Sequence, residues 1–303
     1  MPRAMPFAVA VPASSANLGP GFDAIGLALD LWVRTTVQPA VNFTVSFKAG
    51  TYVPTNAGFE NEIVRGIERI LGPGARPPVS ILVENSIPLG KGLGASAAGA
   101  VLGLTIGAEL APERPPERLL ARHAAELEGH PDNALPALLG GVVVAAMPDG
   151  EDPAFLRFDP PAGLAAVVVT PRIVLPTAAA RALLPASYER RDVVFNVQRA
   201  SLLAASLATG DLHALRVATG DRIHQPYRAP LVPGFDEMLG FKLPGLCAIA
   251  LSGAGPSVLA LVTHEGDSEA IGEAMRGAFA REGIDSDVFY LGISTRGATV
   301  ETL

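Results

Sequence analysis

The chain has 303 residues, a formal net charge of −7 and a pI near 5.3, with 49% apolar and 17% charged residues. That length suggests two packed domains and the apolar share argues against disorder. The basic residues, mostly Arg, are scattered and make no run able to neutralise a phosphate backbone, so a nucleic-acid partner is not expected.

Cys247 is the only cysteine, so no intrachain disulfide can form, and its apolar surroundings in the sequence read as packing. Residues 1–11 are too short for a signal-peptide core, and the apolar stretches fall short of the ~20 residues that span a bilayer. A cytoplasmic protein with no membrane partner is the expectation.

In chain order, 7–11 and 31–37 read as strands rich in Val, Trp and Thr, with a polar, glycine-bearing loop over 12–23 between them. Residues 41–47 alternate as a half-buried strand does, and Ile63, Ile67 and Ile70 give 62–71 helical spacing. A strand at 79–83 leads into a glycine-rich loop and then the Ala/Leu-rich span 95–110, which is apolar on nearly all sides and so reads as a buried helix. Pro115 and Pro116 open a further helix that runs to Glu128 and stops at Gly129. A strand at 141–147 follows. The stretch 149–161, with three prolines and several acids, is the candidate boundary. Beyond it come a strand at 164–170, helices within 177–218, strands at 246–251 and 256–263, a helix at 267–282 and a strand at 286–293. That succession is β-α-β-β-α-β with extra helices, a ferredoxin-like arrangement. The fold class expected is α+β, with domains at 1–158 and 159–303.

The chemistry concentrates in Pro88, Leu89, Gly90, Lys91, Gly92, Leu93, Gly94, Ala95, Ser96, Ala97 and Ala98. Three glycines in five positions let the backbone turn its amides toward one point, and a buried helix begins directly after them. Its unpaired N–H groups and positive dipole end make a phosphate site. A dinucleotide fingerprint is a poor fit, because residues 85–88 separate the strand from the first glycine and no compact β-α-β unit follows. No Gly-Lys-Ser/Thr follows either, so the loop is not a Walker A element. Taken alone, the glycines also suit a purely structural turn.

Residues 12–26, Pro-Ala-Ser-Ser-Ala-Asn-Leu-Gly-Pro-Gly-Phe-Asp-Ala-Ile-Gly, resemble the N-terminal signature of homoserine kinases, a family of the GHMP superfamily. The 90–98 loop resembles the superfamily's ATP phosphate loop. Ser252, Gly253, Ala254 and Gly255 resemble its third motif, which braces the active site. The spans 128–133 and 297–300 have the same look, and the resemblance covers essentially the whole chain. Ala95 is a departure, standing where relatives often carry serine; Lys91 is another, adding a charge near the phosphates or facing water.

The resemblance implies a two-domain GHMP kinase-like fold, with an N-terminal domain like ribosomal protein S5 domain 2 and a ferredoxin-like C-terminal domain. It implies ATP as co-substrate, L-homoserine as acceptor, Mg²⁺ as the metal and a homodimer. By the same resemblance, Ser96 and an acid on the following helix hold the metal. Glu126 and Glu128 compete for that role, and Glu126 is preferred from its distance to the Asp-Asn pair. Arg181, one helical turn after Thr177, and Arg228 would clamp the substrate carboxylate through planar forks. Asp23 would meet the ammonium, Asn17 and Asn133 would orient the hydroxyl, and Asp132 with Asn133 would position the nucleophile. Asn61 is a candidate for adenine. His130 and His224 read as local hydrogen-bonding residues, since no cluster has metal-ligand spacing. Two other readings are a GHMP kinase for mevalonate or a sugar, and a catalytically silent nucleotide sensor on the same scaffold.

Overall fold

A computed structural model describes residues 6–53, 58–148, 150–263 and 266–303. Two long strands begin it. β1 (Phe7–Asn17) and β2 (Gly21–Pro39) pair antiparallel through a turn at 18–20, with register shifts after Pro12 and after Ala16. The span 12–23, expected as a loop, is therefore the closing end of a hairpin. Its Pro, Ser and Gly residues sit at irregularities of the ladder, where a bulge tolerates them.

β3 (Thr44–Phe47) is shorter than the expected strand, with Val41 outside it and exposed, and runs parallel to β4 (Val79–Asn85). Between them lies α1 (Gly58–Leu71). Then come α2 (Ala95–Leu110), α3 (Glu117–Glu128) and α4 (Pro131–Leu139). α2 is buried along almost its whole length, as its all-round apolar composition requires. α4 was not anticipated; Pro131 sits in its first turn, where no N–H is needed, and Pro136 lies inside it. β5 (Val142–Ala146) pairs with β2 and with β6 (Ala154–Phe158). The stretch read as a boundary thus holds a strand of the first sheet, and the link between the sheets shortens to 159–163.

The second sheet starts with β7 (Leu164–Pro171). Five helices follow: α5 (Thr177–Ala182), α6 (Arg190–Thr209), α7 (Leu215–Ala218), α8 (Gln225–Arg228) and α9 (Phe235–Leu239). β8 (Leu246–Leu251), β9 (Val258–Thr263), α10 (Ser268–Arg281) and β10 (Ser286–Gly292) complete it, and its antiparallel order is β10-β7-β9-β8. The ferredoxin-like succession read from the sequence is present. The closing strand β11 (Thr299–Thr302) crosses back to pair with β1, so the chain's last strand lies in the first sheet.

Alternation along β7 divides the interior in two. Ala166 and Val168 face a core continuous with α2 and the first sheet, while Val167 and Val169 face a second core under α9 and α10. The two halves are thereby packed on one another, and the site lies where they meet.

Candidate active site

Three glycines turn the chain ahead of α2. Gly90, Gly92 and Gly94 have φ of 67°, 78° and 65°, a left-handed region that costs other residues strain. Gly94 is the N-cap of α2 and no side chain caps the helix, so its first-turn amides remain available to an anion. A Cβ on Gly94 would stand 2.1 Å from Ser14 Oγ, because β1 runs against the loop at this point. The Ser14 amide donates to Leu93 O at 3.2 Å.

The 252–255 loop braces this turn from the second sheet. Ser252 Oγ donates to Gly92 O at 2.7 Å, and the Ser257 amide donates to Lys91 O at 3.2 Å. Lys91 lines the cavity, and its ammonium donates to the carbonyls of Pro171 and Ile173 near the end of β7 rather than facing water alone.

The β1–β2 turn supplies the next wall. Asn17, Leu18 and Asp23 all take positive φ, at 70°, 49° and 54°, held by side-chain bonds. Asn17 Nδ2 donates to Gly253 O at 2.8 Å and Asn17 Oδ1 accepts from the Asp23 amide at 3.0 Å. Opposite stands the start of α4, whose Asp132 carbonyl comes so near Gly26 that a Cβ there would lie 1.7 Å away. Asn133 Oδ1 accepts from Ser14 Oγ at 2.9 Å, which orients its amide. Asp132 is 1% exposed and shares a 2.5 Å hydrogen bond with His130 Nδ1. Burial pushes its carboxyl above the usual carboxylate range, and the bond to His130 opposes that.

Two arginines close the cavity. Arg181 on α5 donates to Asp23 Oδ1 at 2.8 Å. Arg228 on α8 is 2% exposed, lies 5.3 Å over the Phe22 ring and bonds to Gly253 O at 3.3 Å and His224 Nδ1 at 3.2 Å. Among the described residues no carboxylate pairs with it. Burial lowers its proton affinity, and Arg181 adds to the effect. His224 is fully buried and shifted downward by desolvation. A neutral ring with the proton on Nε2 donates to Gly19 O at 2.6 Å and accepts from Arg228 on Nδ1.

The result is one cavity of about 120 Å³ that gathers Asn17, Asp23, Ser96, Asp132, Asn133, Arg181 and Arg228 with the glycine loop and Gly253 and Ala254. Of the described residues expected to meet substrate, adenine or metal, Asn61 and Glu126 do not line it. Asn61 stands exposed on α1, away from the lining, and the side chain of Thr177 lies outside the described residues. Glu126 points elsewhere, into a cluster with Arg69, Arg122 and His123.

Glu128 is the acid that faces the cavity; it accepts from Ser96 Oγ at 3.1 Å, and burial raises its carboxyl. The choice was readable: Ala121, Ala124 and Ala125 are the buried stripe of α3, and Glu128 continues it at i+3 and i+4 while Glu126 does not. His130, read only as a local bonding residue, lines the cavity, and one donor atom each from Asp23, His130 and Asp132 lie within 4.8 Å of one another.

The polar cavity thus lies at the start of a buried helix, between a branched first sheet and a ferredoxin-like second one. Residues 61–141 match the family model for the GHMP kinases N-terminal domain, and 203–281 match the GHMP kinases C-terminal model. Over nearly full length the chain is 41% identical to the homoserine kinase of Solibacter usitatus, covering 96% of both chains. It is 39% identical to that of Deinococcus radiodurans, covering 98% of both. The crystal structure of homoserine kinase from Cytophaga hutchinsonii superposes with a TM-score of 0.84 at 29% identity, with 99% of each chain covered. The chain belongs to the homoserine kinase family of the GHMP kinases.

Proposed function

We propose that the protein transfers the terminal phosphoryl group of ATP to the side-chain hydroxyl of L-homoserine, giving O-phospho-L-homoserine for threonine biosynthesis. One observation carries the reading. A helix start with uncapped amides opens onto the same cavity as a carboxylate and two guanidinium groups, the three charges that an amino acid's ammonium and carboxylate require. Mevalonate and sugars carry no ammonium and leave Asp23 without a purpose in the site.

The amides of the 90–96 segment receive the phosphates. Arg228, buried without a carboxylate, takes the substrate carboxylate, and Arg181 joins it. Asp23 turns to the ammonium. A zwitterion set between Asp23 and Arg181 replaces their one ion pair with two, so both side chains stay satisfied in either state. Asn17 and Asn133 orient the hydroxyl.

Asp132 lies beside them, and its raised proton affinity suits a group that accepts a hydrogen bond from the nucleophile. The transition state of phosphoryl transfer is loose and asks little early proton removal, so Asp132 positions more than it deprotonates. Asp132→Asn is expected to lower kcat by about 10²-fold, and a loss beyond about 10⁴-fold would make it an obligatory base.

Ser96 and Glu128 offer two oxygens at 3.1 Å, the donor set a hard cation prefers, so they fit Mg²⁺. Bound there, the ion would neutralise charge on the phosphates. A cytoplasmic location and a two-subunit state complete the proposal; for the latter, Val193, Val194 and Val197 stand exposed on one face of α6. The test is ADP release with L-homoserine, mevalonate and galactose compared at equal ATP. Turnover confined to homoserine supports the reading; comparable kcat/KM with either alternative refutes it.

A further inference from the structure

Behind the arginine clamp lies a second cavity, of about 380 Å³, against the 120 Å³ of the catalytic one. Its size falls in the range of small-molecule sites, roughly 300–1,000 Å³. It follows β8, which is an edge strand of the second sheet with β9 as its partner there. Ala248 and Ile249 make the floor, Phe235 and Phe241 one side, and Phe195 the other. Apolar surface dominates, yet Leu246, Cys247 and Phe241 remain only half-buried.

Charges stand at the mouth. Arg222 is paired with Asp192 at 3.0 Å and lies over Phe195, and Asp221 spends its carboxylate on the amides of Ile223, His224 and Gln225 and on Asn196. Arg216 differs. One of its nitrogens donates to Phe241 O at 2.6 Å, and among the described residues no carboxylate pairs with it.

The wall shared with the catalytic cavity is the segment 219–229. Asp221, Gln225 and Ala229, four residues apart, line the second cavity. His224 and Arg228, also four apart, are its buried face toward the substrate. Two bonds tie this wall to other parts of the site. His224 holds Gly19 O of the β1–β2 turn, and Gln225 Oε1 accepts from the Leu251 amide, next to the bracing loop. The wall is thin, polar and jointed, so what presses on one side is felt on the other.

We propose that this second cavity is a regulatory site for a small organic carboxylate with a hydrocarbon body, and that filling it weakens substrate binding through the 219–229 wall. The hydrocarbon covers Phe195, Phe235 and Ile249, and the carboxylate meets Arg216. Of the two carboxylates in the lining, Asp221 is already saturated with donors and Asp236 is exposed to water. An occupant packed on Gln225 competes with its bond to the Leu251 amide and loosens both the bracing loop and Arg228. The regulatory half rests on the kinase reading above; the binding half does not.

Cys247 is the only cysteine and lines the cavity, so its alkylation reports occupancy in the unmodified protein, run on the alkaline side because burial pushes the thiol up. 3-Phenylpropionate is expected to slow iodoacetamide labelling of Cys247 and to bind by calorimetry, and 3-phenylpropanamide, of the same shape without charge, to do neither at equal concentration. Equal protection by the amide, or heat and labelling unchanged by the acid, overturns the site. In the kinase assay the acid should raise the homoserine KM by about fivefold or more, the usual lower range of coupling between sites. Arg216→Gln should abolish that rise and leave basal turnover intact. A KM rise that persists in Arg216→Gln means competition at the catalytic clamp, and binding with no change in KM removes the regulatory role. Failure of homoserine turnover without any acid would instead count against the kinase reading, leaving the labelling result to stand by itself.

Discussion

The two halves of the catalytic cavity are built from different materials. The phosphate half, from Gly90 to Ser96, is backbone: glycines of positive φ and the uncapped start of α2. The substrate half is side chains drawn from both sheets, with Asp23 and Asn17 from the first hairpin and Arg181 and Arg228 from helices of the second domain. A backbone site is indifferent to most side-chain chemistry but intolerant of a Cβ in the wrong place. A side-chain site fails when a charge is removed, and its failure should be confined to one substrate.

That contrast can be broken by substitution, beginning with the largest effect. Arg228→Ala removes a desolvated guanidinium whose loss costs on the order of 2–5 kcal/mol, so kcat/KM for homoserine should fall by about 10²–10³-fold while the ATP KM holds. A parallel rise in both KM values would mean that the halves are not separate. Gly94→Ala forces a Cβ against Ser14 Oγ and strains the left-handed turn. It should lower turnover by about 10²-fold through misplaced phosphates, with an unchanged circular dichroism spectrum. Normal kinetics in that variant would remove the loop from the nucleotide site.

Arg181→Ala should cost only about tenfold in kcat/KM, because this side chain is 48% exposed and its charge is screened. A loss equal to that of Arg228→Ala would make the two clamps equivalent. Smallest is the acid pair on α3. Glu128→Gln should cost about tenfold at low Mg²⁺ and less at high, and Glu126→Gln should change rates by less than about twofold. Burial raises the Glu128 carboxyl, so it takes up its proton at a higher pH than an ordinary glutamate as pH falls. At low Mg²⁺ the acid limb of kcat/KM is therefore expected above the usual carboxylate range, bound Mg²⁺ should push it back down, and Glu128→Gln should remove it. An identical limb in both proteins assigns it to another group.

The backbone half was the more legible from sequence. Glycine spacing and an all-apolar helix over 95–110 are local signals, and the helix ends where composition places it. The side-chain half became legible only through resemblance, because Asp23, Asp132, Arg181 and Arg228 meet through tertiary packing that no local pattern encodes. α4 went unread, a nine-residue helix carrying Pro131 in its first turn and Pro136 inside it, too short for a clear apolar period. Glycine, serine and proline likewise made the β1–β2 end look like a loop, whereas the pairing absorbs them at two register shifts. β11 gave no local sign either, since four residues become a strand only by returning to β1. The bonds of Lys91 were hidden for the same reason, as the carbonyls it meets at 171 and 173 are about eighty residues away.

The most direct measurement is a crystal structure of the protein with a non-hydrolysable ATP analogue and L-homoserine. It should show the terminal phosphate on the amides that begin α2 and the amino acid's carboxylate on Arg228, with its ammonium on Asp23. Phosphates bound away from that helix start, or a substrate whose carboxylate ignores Arg228, would contradict the division of labour described above.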